Sequence, residues 1–115
     1  MTTLEFFKLL SDETRLLSLL LIIAERELCV CELMQALDES QPKVSRHLAQ
    51  MRKAGLLLDK RQGQWVFYRV NPELPEWINK TLTELSANNK ALISSHITRL
   101  YQMGERPERV LACCK

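Results

Sequence analysis

The stretch Ser40-Gln41-Pro42-Lys43-Val44-Ser45-Arg46-His47-Leu48-Ala49-Gln50-Met51-Arg52-Lys53, followed by Ala54-Gly55, decides the fold. Ser40 is a good N-cap, and Pro42 falls in the first turn, where its missing N–H costs nothing. Val44, Leu48 and Met51 recur at i, i+4 and i+7, a stripe that anchors one face of a helix. Around that stripe stand Gln41, Ser45, Arg46, His47 and Gln50, all able to hydrogen-bond base edges, with Lys43 and Lys53 suited to phosphates. His47 has two readings, a phosphate contact or a plain exposed histidine. Gly55 is placed to stop the helix, which is expected over Gln41 to Ala54.

Working outward, Leu33, Met34 and Leu37 form one stripe over about Val30 to Leu37, and Asp38-Glu39-Ser40 breaks it. Two helices joined by so short a turn make a helix-turn-helix, whose second helix lies in the major groove. Downstream, Leu56 to Arg61 and Trp65 to Val70 are strand-like and joined by Gln62-Gly63-Gln64, a hairpin turn. That hairpin makes the motif winged, with Lys60 and Arg61 placed to reach flanking phosphates or the minor groove. Before the motif come a short helix over Leu4 to Leu10 and an almost wholly apolar one over Asp12 to Glu25. After it, Pro75 opens one long final helix. Its Ile78, Leu82, Leu85, Asn89, Leu92 and His96 follow a 4-3-4-3-4 spacing, a dimer seam with Asn89 as a register-setter. A homodimer would pair two recognition helices across a two-fold axis. The expected fold is therefore α+β and mainly helical: a winged helix-turn-helix in the order ααααββα, homodimeric. Residues 1–103 form the domain, and 104–115 form a tail carrying Cys113 and Cys114.

Length and charge agree with that reading. With 115 residues, 46% hydrophobic and 26% charged, the chain suits one globular domain. The net charge of +2 is unevenly spread: residues 38–70 hold seven basic and three acidic side chains, whereas residues 1–37 hold three basic and six acidic. A basic middle third is the footprint of a nucleic-acid surface, and a helical module that binds no DNA has no need of it. No run reaches 18 apolar residues, so no membrane span is expected. The start, Met1-Thr2-Thr3-Leu4-Glu5, does not read as a secretory signal, which makes the cytoplasm the expected compartment. An enzyme is disfavoured, because no cofactor motif, Cys-x-x-Cys or base beside a thiol is evident.

Four cysteines fall in two pairs, Cys29/Cys31 and Cys113/Cys114. In a reducing compartment, clustered thiols read as metal-binding or redox-active, with buried bystanders as the alternative. Cys29 and Cys31 lie where the first helix of the motif begins. On a regular helix, residues i and i+2 point about 200° apart, so both sulfurs reach one ion only from extended or unwound chain. A soft ion held by both would thus distort the turn that positions the recognition helix, and DNA affinity would fall. Helix N-terminal placement favours thiolate. Cys113 and Cys114 are candidates for a further ligand.

The segments Leu10-Ser11-Asp12-Glu13-Thr14-Arg15-Leu16, Glu27-Leu28-Cys29-Val30-Cys31-Glu32-Leu33 and Ser40 to Leu48 resemble the ArsR/SmtB family. Gly55-Leu56-Leu57 and Gly63-Gln64-Trp65-Val66-Phe67-Tyr68 extend the resemblance to about residues 4–100. It implies a homodimeric repressor of an arsenic-resistance operon, released from operator double-stranded DNA when thiolates bind arsenite or antimonite. Members with this motif commonly have a third cysteine three residues after the second, and here Met34 stands there. The third sulfur then comes from Cys113 or Cys114, of either subunit, or from a small cellular thiol. Alternatively two thiolates suffice, as for a methylated trivalent arsenical. Cadmium, lead and thiol oxidation are further inducers compatible with the cysteines. Zinc is disfavoured, since His96 is the sole histidine of the last helix and zinc takes four ligands.

Overall fold

The computed structural model describes residues 1–105 and 109. Its elements are α1 (Thr3–Leu10), α2 (Glu13–Glu25), β1 (Leu28–Cys29), α3 (Val30–Leu37), α4 (Gln41–Lys53), β2 (Leu57–Gln62), β3 (Trp65–Val70), α5 (Glu76–Asn88), a 3-10 turn (Lys90–Leu92) and α6 (Ser94–Tyr101). Local chemistry sets most of these boundaries. The Asp12 carboxylate caps α2, its Oδ2 accepting from the Arg15 N–H at 3.0 Å. Asp38 ends α3 at φ 55°, a left-handed value that aspartate tolerates better than most residues. Gly55, at φ 87°, closes α4: its N–H reaches the Arg52 carbonyl at 3.0 Å, and the Leu56 N–H reaches the Met51 carbonyl at 3.0 Å. This paired closure redirects the chain straight into β2.

β2 and β3 form the wing, antiparallel from Leu57↔Val70 to Gln62↔Trp65, so the loop is Gly63-Gln64. On the other edge of β3, Leu28 pairs with Tyr68 and Cys29 with Phe67, giving a three-stranded sheet in the order β1-β3-β2. The core is built on α2, whose Leu19, Leu20, Leu21 and Ile22 are buried together with Leu33, Leu48, Met51, Leu56, Leu57 and Ile78. Burial of each such side chain contributes about 1.5–3 kcal/mol. Val44, Leu48 and Met51, the stripe of α4, all face that core.

The long final helix expected from the 4-3-4-3-4 spacing is not one helix. It breaks after Asn88: Asn89 leaves helical backbone at φ −133°, ψ 32°, and the chain resumes as α6 from Ser94. Asparagine competes for backbone groups, and both asparagines do so here. Asn88 Nδ2 donates to the Glu84 carbonyl at 2.8 Å, and Asn89 Nδ2 to the Leu85 carbonyl at 2.9 Å. They satisfy acceptors that the end of α5 leaves open. The break lets α6 pack on α3. Ile93 and Leu100 join the core, and His96 Nδ1 lies 3.0 Å from the Ala36 carbonyl. Asn89 is therefore a helix terminator on this chain, and the stripe does not run unbroken to His96.

Candidate nucleic-acid interface and thiol site

Two of the side chains singled out on α4 stand fully exposed without a long-range tie: Gln41 and Arg46. Gln41 Nε2 donates to Ser45 Oγ at 3.2 Å, ordering both at the helix start. Lys43, at the same end, bonds Glu39 at 3.0 Å. Lys53 at the end of α4, with Lys60 and Arg61 on β2, is exposed as well. A helix N-terminus without a first-turn acid and an exposed basic wing together offer a surface complementary to phosphate.

His47 is placed differently from the expectation. It is 6% exposed, so neither a phosphate contact nor a solvent-facing histidine describes it. The reason is Arg15, which the sequence reading passed over except within a motif. Its Nε donates to the Leu9 carbonyl at 2.8 Å and its Nη2 to the Lys8 carbonyl at 3.2 Å. Its Nη1 lies 3.0 Å from Gln50 Oε1 and 3.2 Å from His47 Nδ1. With Nδ1 accepting from arginine, the ring proton sits on Nε2, which faces Asp12 Oδ2 at 3.7 Å. Asp12, Arg15, His47 and Gln50 thus clamp α4 to the end of α1 and the start of α2. The Asp12 carboxyl is held below its ordinary value of 3.8, chiefly by the Arg15 backbone N–H and further by the charges of His47 and Arg15, against some desolvation. Gln50 belongs to this clamp, although its side chain also reaches solvent.

Cys29 does double duty as the last residue of β1 and the N-cap of α3, with φ −90° and ψ 167°. It is 2% exposed and packs with Phe67, while half-buried Cys31 and Trp65 pack against the pair. Cys31 is disulfide-bonded. The two cysteines therefore straddle the junction between extended and helical chain. The Cys29 N–H donates to Glu32 Oε1 at 3.0 Å, holding the first turn of α3 closed from within. Glu32 itself is wholly buried, and its other oxygen, Oε2, accepts from Arg109 Nε at 2.6 Å. Arg109 is 4% exposed and also lies 3.7 Å from Glu25 Oε1, whose partner oxygen accepts from the Tyr101 hydroxyl at 2.8 Å. That bond to Glu25 raises the Tyr101 pKa above the ordinary tyrosine value. Met34, at the position of the usual third cysteine, packs against the main core. Among the described residues, no group of three or more His, Cys, Asp or Glu side chains is placed to hold a metal ion. Cys113 and Cys114 lie outside the described residues.

No helix among the described residues is long and apolar enough to cross a membrane. The family model described as "Bacterial regulatory protein, arsR family" matches residues 12–58, which run from the cap of α2 into β2. The chain is 54% identical over 110 residues to the arsenic resistance transcriptional regulator ArsR2 of Pseudomonas putida, covering 96% of each. It is 56% identical over 81 residues to the arsenical resistance operon repressor of Escherichia coli, covering 70% of this chain and 69% of that one. Among solved structures, HlyU from Vibrio cholerae superposes with a TM-score of 0.66 at 29% identity, over 76% of this chain and 90% of the other. The AntR antimony-specific transcriptional repressor gives a TM-score of 0.59 at 27% identity, over 74% and 75%. With a recognition helix clamped on an α2 core, a basic wing beside it and relatives this close, the chain belongs to the arsR family of bacterial DNA-binding transcriptional regulators.

Proposed function

We propose that this protein is a cytoplasmic homodimeric repressor of an arsenic-resistance operon, released from operator DNA by arsenite or antimonite. Gln41, Ser45 and Arg46 read base edges from α4, with Gln50 at the inner limit of that face. Lys43 and Arg61 bind phosphates on either side, and His47 holds the helix in place rather than touching DNA. The metalloid is captured by Cys29 and Cys31, with Cys113 or Cys114 as third sulfur. The observation that carries this reading is the straddled position of the two cysteines. Only Cys29 is in extended chain, so bringing both sulfurs onto one ion must unwind the first turn of α3. That turn precedes α4 by one short connection, and α3 packs on it, so its distortion moves the recognition helix. Ion binding and DNA binding then oppose each other by linkage.

Capture needs the disulfide at Cys31 open. Two equivalents of a cellular thiol supply the two electrons and two protons, becoming a disulfide themselves. The disulfide also favours a second reading, in which oxidation rather than a metalloid releases the DNA. Dimerisation is proposed to use exposed apolar residues at one end of the fold, Leu4 and Phe7 of α1 and Trp77 of α5. Phe6 bridges them, its ring 5.2 Å from Phe7 and 5.5 Å from Trp77.

The test is a gel shift on the DNA upstream of the protein's own gene. Protein reduced with a phosphine is titrated with arsenite, antimonite, methylarsenite, cadmium and zinc. Release by the first two at the lowest concentrations supports the proposal. Release by cadmium alone, or by oxidation alone, would replace it with the corresponding alternative.

A further inference from the structure

The Glu32 carboxylate joins two parts of the chain that are 77 residues apart. One oxygen accepts from the Cys29 N–H and the other from Arg109, both at hydrogen-bond distance, with Glu32 fully buried and Arg109 nearly so. A buried carboxylate with a single buried guanidinium is a costly arrangement unless both stay in place. Here it fixes Arg109 beside the first turn of α3. The residues that follow Arg109 reach Cys113 in four steps and Cys114 in five. At no more than about 3.6 Å per residue, that is a tether of roughly 14 to 18 Å.

Resting on the metalloid-release reading above, we propose that Arg109 is a positioning residue. Its ion pair with Glu32 docks the C-terminal segment so that a tail cysteine is delivered to Cys29 and Cys31 as the third sulfur. The tether replaces the ligand lost at Met34: a sulfur confined within such a radius has a high effective concentration, which a free tail would not provide. The same carboxylate makes the device two-way. When the ion pulls Cys29 and Cys31 together, the Cys29 N–H leaves Glu32 Oε1, so opening of the turn is felt at Arg109. Glu25 and Tyr101 hold the far side of the guanidinium and keep it aimed at Glu32.

The test compares reduced full-length variants for arsenite-driven release from operator DNA and for the number of thiols protected from alkylation by arsenite. C113S/C114S keeps the ion pair and removes the tail sulfurs. R109Q removes the anchor and keeps them, and R109K is the conservative rescue. E32Q/R109Q removes both charges together, so that a fold lost to one orphaned carboxylate is recognised and avoided. Thermal melting and DNA affinity without arsenite are measured alongside. The expected result is that C113S/C114S and the anchor-free variants each need at least tenfold more arsenite. They protect one thiol fewer, bind DNA as before, and R109K recovers part of the response. If C29S/C31S loses the response while C113S/C114S or the folded E32Q/R109Q variant responds like the wild type, the anchoring proposal is overturned and the release reading stands. If C29S/C31S itself responds normally, the release reading fails first.

Discussion

At the scale of single residues, α4 carries two populations that share one helix. Arg46 is exposed and tied to nothing long-range, whereas His47 beside it is buried under Arg15. Substituting Arg46 with alanine should weaken operator binding by about 1–3 kcal/mol per half-site, some five- to 150-fold, with an unchanged melting temperature. Arg15→Ala should do the reverse in kind. It strips donors from the Leu9 and Lys8 carbonyls and from Gln50, and should cost about 1–3 kcal/mol of folding stability in a denaturant titration. DNA affinity should fall only secondarily, as α4 loosens. Asp12 gives a pH signature. Its folded pKa lies below 3.8, so its capping contribution is complete above that value and is lost as pH falls through the folded one. An Asp12→Asn variant, which keeps the cap but cannot titrate, should therefore show a shallower loss of stability between about pH 4 and pH 2. The sequence made Arg46 legible, because apolar periodicity alone separates the outer face from the inner one. His47 was not legible. It sits three residues after Val44 and is drawn inward by an arginine 32 residues away, which no local pattern reveals.

Among the elements, those with strong local signals formed where expected. α2 starts after its aspartate cap, α3 runs over Val30–Leu37, and α4 begins after Ser40 and stops at its glycine. Gly55→Ala should cost about 1–2 kcal/mol, read from the shift in denaturant midpoint. A Cβ there meets nothing within 4 Å, so the strain is purely that of φ 87°. Two elements escaped the sequence reading for opposite reasons. β1 is two residues long, below the length at which alternation can be seen, and exists because β3 offers it an edge. The final helix has periodicity to spare, yet the Asn88-Asn89 pair ends it, since two side chains that bond their own preceding carbonyls outweigh a continued apolar stripe. The thiol site was half legible. Cys29-Val30-Cys31 marks a place, but the buried Glu32–Arg109 pair behind it depends on tertiary folding alone.

For the whole molecule, the exposed apolar end formed by Leu4, Phe7 and Trp77 is where a second copy is expected to sit, replacing the seam read along one long helix. Leu4→Glu with Phe7→Glu should give a monomer by sedimentation and abolish tight operator binding, because each protomer then offers one half-site reader. A folded monomer that still binds the full operator as tightly would contradict the paired arrangement. The central claim is that capturing a soft ion with Cys29 and Cys31 unwinds the start of α3 and so frees the DNA. Amide hydrogen exchange over residues 30–34, followed on the reduced protein with and without arsenite, tests it most directly. Exchange there should rise on adding arsenite, at concentrations that release DNA, and should stay unchanged in C29S/C31S. Protection that persists at those amides while arsenite strips the protein from its operator would contradict the claim.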